Sequence, residues 1–483
     1  MNPTIRTTPR TRRTSTPDPD TAPDRAAPKN TTEHRNRQHT KTSRIDSLLT
    51  RPLIDFQIVV GITTILTVLG LMMVLSSSSI ESLLNTGSPY ARFLPQAVYA
   101  AGGALLFVMT VRLPTTVLRR AAPWLLIASF VALILVLIPG IGSEQYGAQS
   151  WIPIGSVSFQ PSEFAKVALV IWCAHIIAST HESRTDVDTV LRAVLVANAA
   201  VLVLVVLQRD LGTAVTLGII LMSVLWYGGF RTRTISSIAA GCVLGFVVFT
   251  VTVGYRSDRI RAYLNPTLDP QGLNYQGTQA TYALANGGVL GKGLGQSDAK
   301  WSYLPQAYND FIFAVIGEEL GLIGALAVTG LFATLGWVGL RIALLSTDPF
   351  HRMISAVATT WIVVQATVNI GYVIGLLPIT GLQLPLISAG GTSMLTTLLM
   401  FGLIAHAAYR EPDALISLHT SPRPHLATTL FGRPTPPAAP VPTRRSRTPK
   451  TPQTPRTPSR RAAGNPQRAA TDRTRTARRP HHK

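Results

Sequence analysis

Ile54-Asp-Phe-Gln-Ile-Val-Val-Gly-Ile-Thr-Thr-Ile-Leu-Thr-Val-Leu-Gly-Leu-Met-Met-Val-Leu75 contains one ionisable side chain, Asp55, and one amide, Gln57, in an otherwise apolar or hydroxylated run. A helix needs about 20 such residues to cross the hydrocarbon of a bilayer, so this stretch predicts a membrane span. Working outward, similar stretches centre on 92–111, 122–139, 163–180, 189–207, 211–227, 235–254, 311–340, 351–376 and 388–409. The expected fold class is all-α: a polytopic membrane protein of about ten transmembrane helices. The eighth stretch exceeds what a bilayer requires and should tilt or bend. Composition agrees, with 46% hydrophobic and only 14% charged residues, as in membrane chains. Neither a fixed-period soluble repeat nor the paired segments of an inverted-repeat transporter is evident.

The formal charge of +21 suggests nucleic acid until it is located. Residues 1–52 hold 11 Lys/Arg against 5 Asp/Glu, residues 410–483 hold 16 against 3, and the stretch between is nearly balanced. Both tails are rich in Thr, Pro, Arg and Ala and poor in large apolar side chains, so they are expected to be disordered basic arms. An anionic leaflet would attract such arms by about 1 kcal/mol per Lys or Arg. Nucleic acid is not an expected partner, because no aromatic residues interleave with the arginines as stacking platforms. Cys173 and Cys242 fall in different apolar runs, which argues against a disulfide framework or a zinc site. The polar, basic start leaves the first span as the expected membrane signal.

Orientation follows the positive-inside rule. Arg112, Arg119 and Arg120 lie in one short loop, Arg184 in another, Arg231 and Arg233 in a third, and Arg341 and Arg352 in a fourth. These loops are expected in the cytoplasm, together with both tails. The alternating connections at 76–91, 140–162 and 377–387 contain no Lys or Arg. Residues 255–310 form a long extracytoplasmic loop between the seventh and eighth spans. Its Arg256, Arg259, Arg261, Lys292 and Lys300 do not forbid that side, since long loops cross regardless of charge. Loops of this length are usually functional or disordered. The aromatic content here, Tyr263, Tyr275, Tyr282, Trp301 and Tyr303, favours function.

That loop reads Tyr255-Arg-Ser-Asp-Arg259-Ile, Asn265-Pro266, Tyr275-Gln276, Gly287-Gly288-Val-Leu-Gly291-Lys292-Gly293-Leu-Gly295 and Leu304-Pro305-Gln-Ala-Tyr-Asn309-Asp310-Phe311. Its glycines are not a P-loop, because Gly293 follows Lys292 where Ser or Thr is required. Elsewhere stand Trp151-Ile152 with Gly155, Gln160-Pro-Ser162-Glu163-Phe-Ala-Lys166, Asp210-Leu-Gly-Thr213, Gly317-Glu318-Glu319-Leu-Gly321, and Leu384-Pro-Leu-Ile-Ser388-Ala-Gly-Gly391-Thr-Ser393. Read from the residues alone, Asp310 is a carboxylate at a membrane edge, costly unless partnered or used. A helix dipole with free amides would also account for it. Glu163 and Lys166 share a helix face and can pair with each other or line a polar cavity. Trp151 suits an interfacial belt, Asp210 a tight turn, and Glu318 with Glu319 the protein interior or a watery groove. The outer arginines and lysines can snorkel toward headgroups.

Taken together, these motifs resemble the shape, elongation, division and sporulation family, whose members polymerise glycan strands outside the membrane. The wording around Gly381 and Ser388 is most similar to its actinobacterial division branch. The resemblance covers most of the membrane core, 53–409, and implies a peptidoglycan glycosyltransferase that polymerises lipid II at the septum. It places the catalytic aspartate on Asp310, acting as base toward the acceptor sugar hydroxyl. Arg256, Arg259 and Lys292 would hold diphosphates, while Trp151, Gln160, Ser162, Glu163 and Lys166 would line the substrate cavity. A donor with an α linkage and a product with a β linkage imply inversion. The implied partners are lipid II, a class B penicillin-binding transpeptidase, other divisome proteins and membrane lipids. No cofactor is implied. A divalent cation bridging the diphosphate is chemically compatible, although the outer motifs hold no His or Cys cluster and few carboxylates.

The chain departs from the family pattern at three places. Tyr308 replaces a usual His two residues before Asp310, Arg209 replaces a Pro, and Thr380 stands where many relatives have Lys. The rival expectations are an elongation-type polymerase, a lipid II transporter and a non-enzymatic division scaffold.

Overall fold

The computed structural model describes residues 52–145, 148–155, 157–183, 186–252, 275–298, 300–301, 304–305, 307–420, 426–432 and 434. All of them belong to the compact unit Met1–Thr435. Helices occupy all ten expected stretches: α1 (Ile54–Thr86), α2 (Phe93–Arg112), α3 (Thr115–Leu137), α4 (Pro161–Ser183), α5 (Val187–Leu207), α6 (Leu211–Tyr227), α7 (Thr232–Thr252), α9 (Ile312–Leu345), α10 (Pro349–Val373) and α11 (Gly391–Tyr409). Among the described residues, eight of these helices are long and apolar enough to cross a membrane, and α6 is a shorter apolar helix. The long connection between α7 and α9 contributes α8 (Tyr275–Gly287). After α11 follow α12 (Pro412–Thr420) and α13 (Leu426–Phe431).

Burial sorts the spans. The apolar windows of α4, α10 and α11 are 67%, 67% and 78% buried, against 28% for α3 and 33% for α2 and α5, so the former trio forms the centre. The outer helices turn apolar side chains outward at helical spacing, including Leu94, Val98, Leu105 and Met109 on α2 and Ile127, Val131 and Ile134 on α3. In a soluble protein these stripes would be a liability; here they meet lipid tails. Hydroxyls inside the spans bond back to their own helix, as Thr63 Oγ1 does to the Val59 carbonyl (2.7 Å) and Ser78 Oγ to that of Val74 (2.7 Å). This satisfies groups that hydrocarbon would leave unpaired. An Asp348 side chain caps α10 by accepting from the Phe350 amide (2.9 Å), with Pro349 in the first turn.

Three features depart from the sequence reading. Residues 140–162 are not a plain loop but hold a three-stranded antiparallel sheet, β1 (Ser143–Gln145), β2 (Ala148–Ile154) and β3 (Val157–Phe159). The alternation of Ser, Trp and Pro there gives a surface ribbon too short to register as a strand pattern. The start of the C-terminal tail, expected to be disordered from 410, carries α12 and α13 instead. Phe431 anchors it, buried with its ring centre 5.2 Å from that of Phe56 and 6.3 Å from those of Phe107 and Tyr409, while Tyr409 donates to the Gly432 carbonyl (2.7 Å). An isolated aromatic in a polar context carries no periodic signal. Finally, α9 is broken rather than bent.

At that break Gly321 adopts φ 69°, ψ −168°, a backbone state reserved for glycine. The glycine-rich loop after α8 fits into the gap. Its Lys292 and Gly293 amides donate to the Glu318 and Glu319 carbonyls (3.0 and 2.9 Å), which would otherwise be orphaned at the end of the first half-helix. Its Gly288 and Val289 carbonyls accept from the Leu322 and Ile323 amides (3.0 and 3.3 Å), which begin the second half. The loop thus replaces the missing turn of helix, and Gly291 and Gly287 permit it because a Cβ on either would overlap backbone atoms of α9. Irregular backbone at membrane depth is tolerated when it is buried in protein and paired in this way. The opposite end of α9 is tied to α1 by Arg341 and Asp55 (3.1 Å), and the Ser76 hydroxyl of α1 donates to Glu319 (2.5 Å), so the two helices run antiparallel.

Candidate active site

Asp310 lies one residue before the α9 N-cap Phe311, half-buried. Its peptide is held carbonyl by carbonyl. The Tyr308 carbonyl accepts from the Ala389 amide (3.0 Å), that of Asn309 from the Ser388 hydroxyl (2.7 Å), and that of Asp310 from Tyr372 Oη (2.8 Å) and Asn369 Nδ2 (2.9 Å). The carboxylate faces the late outer loop between α10 and α11, where a Cβ added at Gly381 would sit 3.7 Å from Asp310 Oδ2. Gly381 has φ +74°, so the wall opposite the carboxylate is bare main chain.

A continuous polar path leads from Asp310 into the central trio. The Leu382 carbonyl lies 2.7 Å from both Asn369 Nδ2 and Tyr372 Oη, so the two side chains share the Asp310 and Leu382 carbonyls between them. Next along, the Gln383 carbonyl accepts from Gln365 (2.8 Å), whose oxygen accepts from the Trp361 indole (2.8 Å). The Lys166 ammonium rests 4.9 Å from the centre of that Trp361 ring and pairs with Glu163 at 2.8 Å. Thr396 bonds the other Glu163 oxygen (3.3 Å). Glu163 and Lys166 are 8% and 1% exposed, so the pair is interior and the sequence alternatives collapse into one arrangement: they pair with each other within the polar core. Such a desolvated pair persists only with further hydrogen bonds and a polarisable face, which Thr396 and Trp361 supply.

Of the other residues expected to line a cavity, Gln160 is tied to two helices. The Gln160 amide donates to Thr392 Oγ1 (3.1 Å) and its side chain to Asp210 Oδ2 (3.1 Å). Asp210 is the N-cap of α6, accepting from the Thr213 amide (3.0 Å) and hydroxyl (2.7 Å), so the expected turn-closing role holds and a link to Gln160 is added. Ser162 is fully buried, with no bond to its hydroxyl among the described residues. Trp151 sits half-buried on β2 opposite Ser143.

Lys292 is elsewhere. It bridges Asp298 (2.5 Å) and Glu318 (3.2 Å), and Glu318 also accepts from Ser297 Oγ (2.5 Å) and the Asp298 amide (3.1 Å). The hydrogen bond to Asp298 chiefly holds the Lys292 ammonium above its ordinary pKa, with Glu318 adding to it. Its charge is therefore spent on two carboxylates, and it stands here as the lock of the loop threaded through α9. Lys300 bonds the Gly295 carbonyl. Arg256 and Arg259 lie outside the described residues. Among these, no cluster of three or more His, Cys, Asp or Glu is placed to hold a metal ion.

Sequence reasoning missed several members of the site. Asn369, Tyr372, Gln365, Trp361 and Thr396 lie inside spans, and their signal was their polarity at membrane depth. Arg92 was also passed over. Its guanidinium stacks 4.1 Å from the centre of the Tyr308 ring while pairing with Glu81 (2.7 Å), so the Tyr that replaces the family His serves as an aromatic face for a cation.

Comparison with known proteins fits this geometry. Residues 56–412 match the family described as "Cell cycle protein", which groups FtsW, RodA and SpoVE. The probable peptidoglycan glycosyltransferase FtsW of Mycobacterium tuberculosis is 46% identical over 376 residues, 78% of this chain and 72% of that protein. Among solved structures, a chain from a peptidoglycan synthase complex that coordinates polymerisation and crosslinking superposes with a TM-score of 0.58 at 26% identity, covering 72% of this chain and 96% of its own. A single-substitution mutant of the rod shape determining protein RodA of Thermus thermophilus gives 0.54 at 25% identity, covering 73% and 97%. With a family match spanning the membrane core and a helical bundle that superposes on these structures, the chain is a multi-pass membrane protein belonging to the FtsW/RodA/SpoVE family.

Proposed function

We propose that this protein is the peptidoglycan glycosyltransferase of the division branch, polymerising lipid II into glycan strands on the outer side of the membrane. The observation that carries the reading is the half-buried Asp310 carboxylate at the outer end of α9, set against the bare Gly381 wall. Asp310 takes the proton from the acceptor sugar hydroxyl as that oxygen bonds the anomeric carbon of the donor. The bond from that carbon to the diphosphate oxygen breaks with inversion, and undecaprenyl diphosphate leaves with the electron pair. It needs no proton if cations balance its charge, the role given to Arg256 and Arg259. The half-buried Gln160 and Trp151 are assigned to substrate contact, with the interior Glu163–Lys166 pair and Ser162 supporting the polar core behind them.

The relative named as a glycosyltransferase and the synthase complex that couples polymerisation to crosslinking support this activity and a class B penicillin-binding transpeptidase as partner. Septal location, with both tails in the cytoplasm beside other divisome proteins, follows from the division-branch reading and the charge asymmetry. The decisive test is strand synthesis by purified Asp310→Asn with its transpeptidase. The variant should insert normally and make no strands, because the amide keeps the shape and loses the base. Near-normal synthesis would overturn the assignment, and absence of synthesis by the unaltered protein would favour a transporter or scaffold.

A further inference from the structure

We infer that Asn369 and Tyr372 on α10 are positioning residues for this reaction, fixing the Asp310 peptide to the late outer loop. The inference rests on Asp310 being the base. Both side chains are interior, with exposures of 0% and 1%. Between them they have three protons, two on the amide nitrogen and one on the phenol. These meet three acceptors: the carbonyl of Asp310, the carbonyl of Leu382, and the Tyr372 oxygen itself, 2.6 Å from Asn369 Nδ2. Every proton is therefore used, and the two carbonyls belong to the two loops that face each other across the candidate site.

The arrangement does more than stabilise a helix end. Asp310 and Leu382 are 72 positions apart in the chain, and a buried pair of hydrogen-bonded side chains is what sets their spacing. Asn309 and Tyr308 are pinned to the same late loop through Ser388 and the Ala389 amide. Three consecutive carbonyls are turned inward to the late loop, and the Gly381 wall stands across from the Asp310 carboxylate. The Tyr372 ring packs edge-on against Phe311 at 5.7 Å, so the phenol is itself held in place. Placing a base within hydrogen-bond reach of the acceptor oxygen is a sub-ångström requirement, and a displacement of about 1 Å costs roughly a hundredfold in rate.

The proton count ranks the substitutions. Tyr372→Phe keeps the ring and leaves two amide protons for two carbonyls, whereas Asn369→Leu leaves one phenol proton to serve both. The test compares strand synthesis, at varied lipid II, by the purified full-length protein with its transpeptidase, together with thermal unfolding of each variant. Expected is a fall in kcat of about tenfold for Tyr372→Phe and about a hundredfold for Asn369→Leu, with KM within about twofold, as loss of a transition-state geometry requires. A merely structural role would raise KM or lower thermal stability with kcat preserved. Either of those results, or full kcat in Tyr372→Phe and Asn369→Leu while Asp310→Asn is inactive, would overturn the positioning role. Active Asp310→Asn would instead remove the base assignment, and the inference with it.

Discussion

Gly291→Ala should be far more damaging than Gly288→Ala, although both glycines lie in the same loop with positive φ. Gly288 has φ +56° and open space where a Cβ would go, so alanine there meets only the left-handed penalty of about 1–2 kcal/mol. Gly291 has φ +80°, and its Cβ would overlap the Glu319 carbonyl oxygen and the Gly321 amide nitrogen, both backbone atoms that cannot rotate away. The loop must then retreat, loosening the bonds from the Lys292 and Gly293 amides to α9, each contributing about 1 kcal/mol. The sum is about 3–4 kcal/mol for Gly291→Ala. For a membrane core of this size that is roughly 4 °C in unfolding temperature, against about 1–2 °C for Gly288→Ala. Tryptophan fluorescence during a thermal ramp in detergent reads both directly. Equal shifts for the two variants would show that the loop does not thread the break in α9.

Four further outcomes are expected. Arg256→Gln and Arg259→Gln should each lower turnover at saturating lipid II more than binding, whereas Lys300→Gln should change little; equal damage at Lys300 would replace leaving-group stabilisation by general attraction. Glu411, between α11 and α12, is pushed up to about 8, first by burial and then by Asp55 and Asp413, with Arg341 opposing. A folded-state pKa above the ordinary carboxylate value adds stability at low pH that drains away as pH rises through 8, so Glu411→Gln should flatten the fall in unfolding temperature between about pH 5 and 9; an unchanged slope would refute it. Cysteine at Ser302, in a chain lacking Cys173 and Cys242, should react with an impermeant thiol reagent in intact cells, while cysteine at Ser446 should not. Arg92→Gln should leave insertion intact and loosen the Tyr308 ring, raising its exchange with solvent as read by hydrogen exchange at the neighbouring amides.

The spans were legible because a bilayer sets one length scale, and each run of about 20 apolar residues states its membership independently of the others. Asp310 was legible because it sits at the end of such a run within a recognisable motif. The break in α9 was not, since Gly321 in an apolar stretch reads as a tolerated helix glycine until the loop that replaces its turn is seen beside it. The carboxylate partners of Lys292 were not legible for a related reason. One of its partners, Glu318, lies 26 positions away in the chain on another element, and no spacing rule joins a loop lysine to a carboxylate inside a span. Asn369 and Tyr372 were not legible because they hold backbone carbonyls from two distant segments, and no sequence spacing joins them.

The stitched break also dictates an order of events during biogenesis. Residues 287–295 leave the ribosome before 312–345, so the amides and carbonyls that complete α9 exist for a time with no helix to complete. They must wait in water or against the translocation machinery until the two half-helices arrive. The native connection therefore closes late, and the first half of α9 cannot settle into the bilayer as a conventional span does. A released chain truncated shortly before Gly321 would carry the loop in an unlocked form, susceptible to proteases that the finished protein resists.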